Sequence, residues 1–128
     1  MKRLSVGVTL LLLGMGALAR AGYQSPPLLV SVTSTEAWGQ TGDARNSADS
    51  TQFIGCMFQS DDVSILAECH AVDAAGKSVH CYTSSPSMIS AVASANSDAF
   101  IGFAFDPSTA ACTQVLVFNL SYQRPKTP

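Results

Sequence analysis

One short segment constrains this chain more than any other: Asp73-Ala74-Ala75-Gly76-Lys77. Aspartate opening a type I turn, with glycine at its fourth position where φ must be positive, specifies a β-hairpin closed by a G1 bulge. The turn sets Asp73 opposite Lys77, so residues facing each other across the hairpin have numbers that sum to 150. Cys69 then faces Cys81, His70 faces His80 and Glu68 faces Tyr82. Side chains alternate across a strand, so the cysteines share one face and Glu68, His70, His80 and Tyr82 share the other.

Continuing this meander backwards through a turn at Asp61-Asp62 brings Cys56 roughly opposite Cys69 as well. Three cysteines then stand in a row across three strands, and the fourth, Cys112, lies far along the chain. An even number without any C-x-x-C spacing reads as two disulfides rather than a metal knot. Of the three pairings, Cys56–Cys81 would have to span about 9–10 Å over the middle strand, beyond disulfide reach. Cys56–Cys69 with Cys81–Cys112, or Cys69–Cys81 with Cys56–Cys112, remain. The first is favoured because it ties the last strand to the meander.

The rest of the chain divides around this hairpin. Residues 28–38 alternate Val30, Val32, Thr33 and Thr35 and read as one strand. Residues 39–50 (GQTGDARNSADS) are polar and glycine-bearing, and predict the longest and most flexible loop. Strands are expected over 51–58, 64–72 and 78–83. Ser85 as N-cap and Pro86 at the first helical position open one short amphipathic helix over 86–95, with Met88, Ile89, Val92 and Ala93 at helical spacing. Residues 99–105 and 113–122 predict two further strands, apolar on both faces as central strands are. The stretch 123–128, with two prolines, reads as a loose tail. The expected fold is mainly β: a small antiparallel sheet or sandwich of about six strands, with one short helix and two disulfides.

Residues 1–21 read as a signal peptide. Lys2 and Arg3 precede an apolar run centred on residues 10–13, and Ala19-Arg20-Ala21 offers a cleavage site before Gly22. Removal leaves residues 22–128 as one secreted or periplasmic domain with no membrane insertion. It takes away three of the seven Lys and Arg against nine Asp and Glu, so the charge passes from −2 to −5. Such a chain lacks the basic footprint of a nucleic-acid binder.

The chemistry on offer is sparse. Glu68, His70 and His80 on one face could hold zinc or copper, although alternation alone puts such residues on the solvent side of a sheet. A hydrolase centre is not indicated: G-x-S-x-G is absent and both histidines lie on one hairpin. No dinucleotide or phosphate-loop fingerprint suggests a cofactor. Asn96-Ser97-Asp98 has too few oxygens for calcium and reads as capping and turn residues. Trp38 and Tyr23 could form a carbohydrate-stacking platform. Asn119-Leu120-Ser121 matches a glycosylation sequon but falls in an expected buried strand.

The segments Gly55-Cys56, Cys69 to Gly76, Cys81-Tyr82-Thr83, Asn96 to Phe103, Cys112-Thr113 and Tyr122 to Lys126 resemble a group of small exported bacterial proteins of unassigned function. The likeness spans about residues 51–126. It implies bacterial origin and secretion, and it lends no catalytic residue. The leading expectation is a non-enzymatic binding or surface-interaction module for a protein or a glycan. A metal-binding protein or small enzyme centred on His70 and His80 is the second, and an inhibitor or toxin acting through the 39–50 loop the third.

Overall fold

The computed structural model describes residues 22–128, so the expected signal peptide lies outside the described residues. The hairpin that organises the sequence also organises the fold. Asp73 Oδ1 accepts the N–H groups of Ala75 and Lys77, both at 2.9 Å, and Gly76 takes φ +81°. The flanking strands, β4 (Ile65–Val72) and β5 (Ser78–Thr83), pair in the expected register, with Cys69 opposite Cys81 and His70 opposite His80. On the other side of β4, β3 (Phe53–Ser60) sets Cys56 opposite Cys69. The connecting turn is closed by Asp61 Oδ1, which accepts the N–H groups of Val63 and Ser64.

The remaining strands are β1 (Ser31–Val32), β2 (Glu36–Gln40), β6 (Phe100–Asp106) and β7 (Ala111–Phe118). Among the described residues the helices are α1 (Thr41–Arg45) and α2 (Pro86–Ala93). The seven strands form one sheet in the order β1-β2-β6-β7-β5-β4-β3. All neighbours are antiparallel except β5 and β7, which run parallel and meet at a single pair, Tyr82 and Ala111. The sheet is therefore two antiparallel blocks joined at a narrow seam, and Cys81–Cys112 bridges that seam. The second bridge, Cys56–Cys69, lies within the β3–β4 pair. The favoured pairing is the one observed.

The two blocks fold towards each other. Val30 N–H, beside β1, donates to Gln52 Oε1 next to β3 at 2.8 Å, and Lys77 Nζ reaches the Val32 carbonyl at 3.3 Å. The inner rows of both blocks, Ala37, Ile101, Phe103 and Phe105 from one and Ile54, Ala67, Cys69, Ala71 and Cys81 from the other, form one buried core with Val92 of α2. Small residues dominate the β4 row, which allows the disulfides and the helix to pack closely against it.

Several expectations need correction. Residues 28–38 are not one strand: the Thr33 hydroxyl accepts the N–H groups of Thr35 and Glu36 and turns the chain between β1 and β2. Residues 39–50 are not one long loop: only 46–50 lie outside regular structure. Gly39 and Gln40 finish β2, 41–45 are helical, and Gly42, Asp43 and Ala44 are buried. The polar letters that suggest a loop are used internally: Asp43 accepts Leu28 N–H at 2.7 Å, and Gln40 donates to the Arg124 carbonyl at 2.8 Å. The tail is tethered rather than loose, since Lys126 N–H reaches Asp98 Oδ1 and Thr127 N–H reaches Asn46 Oδ1. Ser85 precedes α2 as expected, but its hydroxyl bonds Ser87 Oγ instead of a backbone N–H. Strand β7 stops at Phe118, so Asn119 is exposed; its side chain links Ser94 and Asn96 at the end of the helix.

Candidate functional site

Folding the inner rows together leaves two outer faces, one on each block. On the β2-β6-β7 block, alternation sends Trp38, Phe100, Gly102, Ala104, Gln114, Leu116 and Phe118 outwards, while Ile101, Phe103 and Phe105 fill the core. Cross-strand pairing sorts the outward residues into rows. Trp38, Gly102 and Leu116 form one, with Glu36, Ala104 and Gln114 beside it. Phe100 and Phe118 close one end, their rings stacked at 5.6 Å and 26°.

The small residues at the centre make this surface concave. Gly102 and Ala104 are the floor of a trough of about 190 Å³, with Trp38 and Glu36 on one wall and Leu116 and Gln114 on the other. A side chain at Gly102 would have space, its first atom lying 3.6 Å from both Trp38 Cβ and the Phe100 ring. Trp38, Leu116 and Phe118 remain 37%, 41% and 46% exposed. The trough is apolar along its length and carries a carboxylate and an amide at one end. That division suits a ring with an apolar face and polar edges.

The expected partnership of Trp38 with Tyr23 is not observed. Tyr23 packs edge-on against Tyr122 at 5.7 Å, and Trp38 stands with Gly102 and Leu116 instead. Phe100, Gly102, Leu116 and Phe118 carry no local signal, because apolar residues fall on both faces of β6 and of the second half of β7. Their outward set becomes visible only once the alternation is phased by the core.

The second outer face, on β3-β4-β5, carries the residues singled out for chemistry. His70 and His80 are direct cross-strand neighbours with ring centroids 6.0 Å apart. The Asp73 N–H to Lys77 carbonyl bond phases the ladder, and counting from it makes His70–His80 a non-hydrogen-bonded pair, the type with the closest side chains. Phe53 and Tyr82 extend the pair into a line of edge-on rings, at 4.8 Å from His70 and 5.3 Å from His80. His70 Nε2 lies 2.9 Å from Ser78 Oγ. Glu68 is on this face, paired with Tyr82 and diagonal to His80. Among the described residues, no three His, Cys, Asp or Glu side chains come together as a ready metal cage. The histidines thus offer two nitrogens, with Glu68 outside the pair. All four cysteines are in disulfides and supply no thiol.

No described helix is long and apolar enough to cross a membrane. No family model, curated protein or solved structure matches the chain.

Proposed function

We propose that this chain is an exported, non-enzymatic binding module that takes a ring of its ligand into the trough over Gly102. The carrying observation is the concave row Trp38–Gly102–Leu116 beside the polar row Glu36–Ala104–Gln114. A pyranose of a glycan is the favoured ligand, because it presents a C–H face to Trp38 and hydroxyls to Glu36 and Gln114. Export is supported by the leader-like residues 1–21, by two disulfides and by the resemblance of residues 51–126 to exported bacterial proteins.

Trp38 is the only tryptophan, so its fluorescence reports on the trough directly. Screening the protein on a glycan array and titrating each hit against Trp38 emission tests the reading. A saturable spectral change, lost in Leu116→Ala and in Glu36→Ala, is the expected result. Hits that leave Trp38 emission unchanged, or an array without hits, would remove glycan binding from this trough.

A second reading, metal binding at His70 and His80, is favoured by one observation: the two imidazoles form a close non-hydrogen-bonded pair. Titration with zinc or copper should shift both histidine resonances at stoichiometric amounts and fail in His70→Ala. Absence of any shift removes this reading.

A further inference from the structure

The two edges of the sheet are treated differently. At one edge, β1 is two residues long and its neighbouring backbone is already taken up by the Gln52 and Lys77 side chains. At the other, β3 is eight residues long and carries neither charge nor proline. An edge of that kind offers a row of backbone donors and acceptors to another strand. The phase of the row can be derived. Asp61 N–H bonds the Ser64 carbonyl, so 61–64 is a hydrogen-bonded pair, and alternation makes 55–70 and 57–68 hydrogen-bonded too. The backbone groups of Ile54, Cys56, Phe58 and Ser60 therefore point away from β4. None of them has a hydrogen bond among the described residues.

We infer that β3 pairs antiparallel with β3 of a second copy of this chain, about a two-fold axis at Met57. This register is the one in which all four outward residues find partners: Ile54 with the second copy's Ser60, and Cys56 with the second copy's Phe58. Met57 meets its own equivalent in a non-hydrogen-bonded pair on the axis, and its side chain is 58% exposed in the single chain. The charges agree with this register. It sets Asp61 and Asp62 of each copy beside Phe53 and Gln52 of the other. There a cleft of about 510 Å³, lined by Arg45, Gln52, Phe53, Phe58, Val92 and Lys126, presents two cations to the incoming acidic turn. A two-fold interface of this type is closed, so it ends at a dimer.

Sedimentation equilibrium of the purified protein across concentration, up to about 1 mM, the weak end of measurable association, reads the dimer. Met57→Lys puts like charges face to face on the axis and should weaken it at least about tenfold. Phe58→Pro should abolish it without removing an internal bond, because the Phe58 N–H points outwards. Met57→Cys should cross-link to itself under oxidation, as a non-hydrogen-bonded pair is close enough to bridge. Asp62→Lys should weaken the dimer, and Asp62→Lys with Arg45→Asp should restore it. A monomer at every concentration overturns the proposal. So does a dimer that survives Met57→Lys and Phe58→Pro, since it must use another surface.

Discussion

Trp38 lies directly opposite Gly102, and the missing side chain of the glycine is what turns a flat aromatic surface into a trough. Glycine inside a strand costs roughly 0.5–1 kcal/mol relative to alanine. A methyl group at Gly102 would meet Trp38 and Phe100 at ordinary contact distance. Gly102→Ala should therefore stabilise the fold by about 0.5 kcal/mol, and Gly102→Leu should fill the trough and quench its ligand response. Urea midpoints and Trp38 fluorescence check the two halves of this prediction separately.

Stability should fall in acid through Asp49, just before β3. The Gln52 amide and the backbone N–H groups of Gln52 and Thr51 all donate to Asp49, and they lower its pKa to about 2. A carboxyl whose pKa is lower in the folded chain stabilises it above the unfolded value, near pH 4, and loses that contribution as pH falls towards 2. Asp61 and Asp106 are lowered in the same direction by hydrogen bonds closing their own turns. Because Gln52 also accepts Val30 N–H, protonating Asp49 loosens the anchor of β1. Urea midpoints measured from pH 5 to pH 2 should drop less steeply for Asp49→Asn than for the parent.

Gly42 should tolerate no side chain. A Cβ there would collide with the Arg124 carbonyl oxygen, which belongs to the backbone of the tethered tail and also accepts from Gln40. Gly42→Ala should displace residues 124–127 and cost about 1–3 kcal/mol. Hydrogen exchange at the Lys126 and Thr127 amides, now bonded to Asp98 and Asn46, should accelerate in the variant.

The two disulfides should differ in worth. Cys56–Cys69 closes a separation of 13 residues and Cys81–Cys112 one of 31. Loop-closure entropy assigns them about 3 and about 3.7 kcal/mol. Cys81–Cys112 also crosses the seam where β5 and β7 share one pair, so fewer hydrogen bonds back it up. Replacing both of its cysteines by alanine should lower stability more than the same change at Cys56 and Cys69, as denaturation of the two double variants will measure.

Local chemistry carried the β3-β4-β5 meander. Asp73 and Gly76 define a turn whose geometry sets a register that opposes Cys69 to Cys81 and His70 to His80, and the Asp61-Asp62 turn adds Cys56 to the row. Strand spacing excluded Cys56–Cys81 and left two pairings, and the observed one, Cys56–Cys69 with Cys81–Cys112, is the one that ties the last strand to the meander. Residues 39–50 and 123–128 misled because their polar side chains bond to each other and to distant backbone: Gln40 to Arg124, Asn46 to Pro125 and Thr127. Such bonds have no signature in local composition. The parallel seam between β5 and β7, and the trough of Trp38, Gly102 and Leu116, are also long-range. They depend on how two blocks of sheet fold over one core, which decides which face of a strand with apolar residues on both sides is buried and which is left exposed.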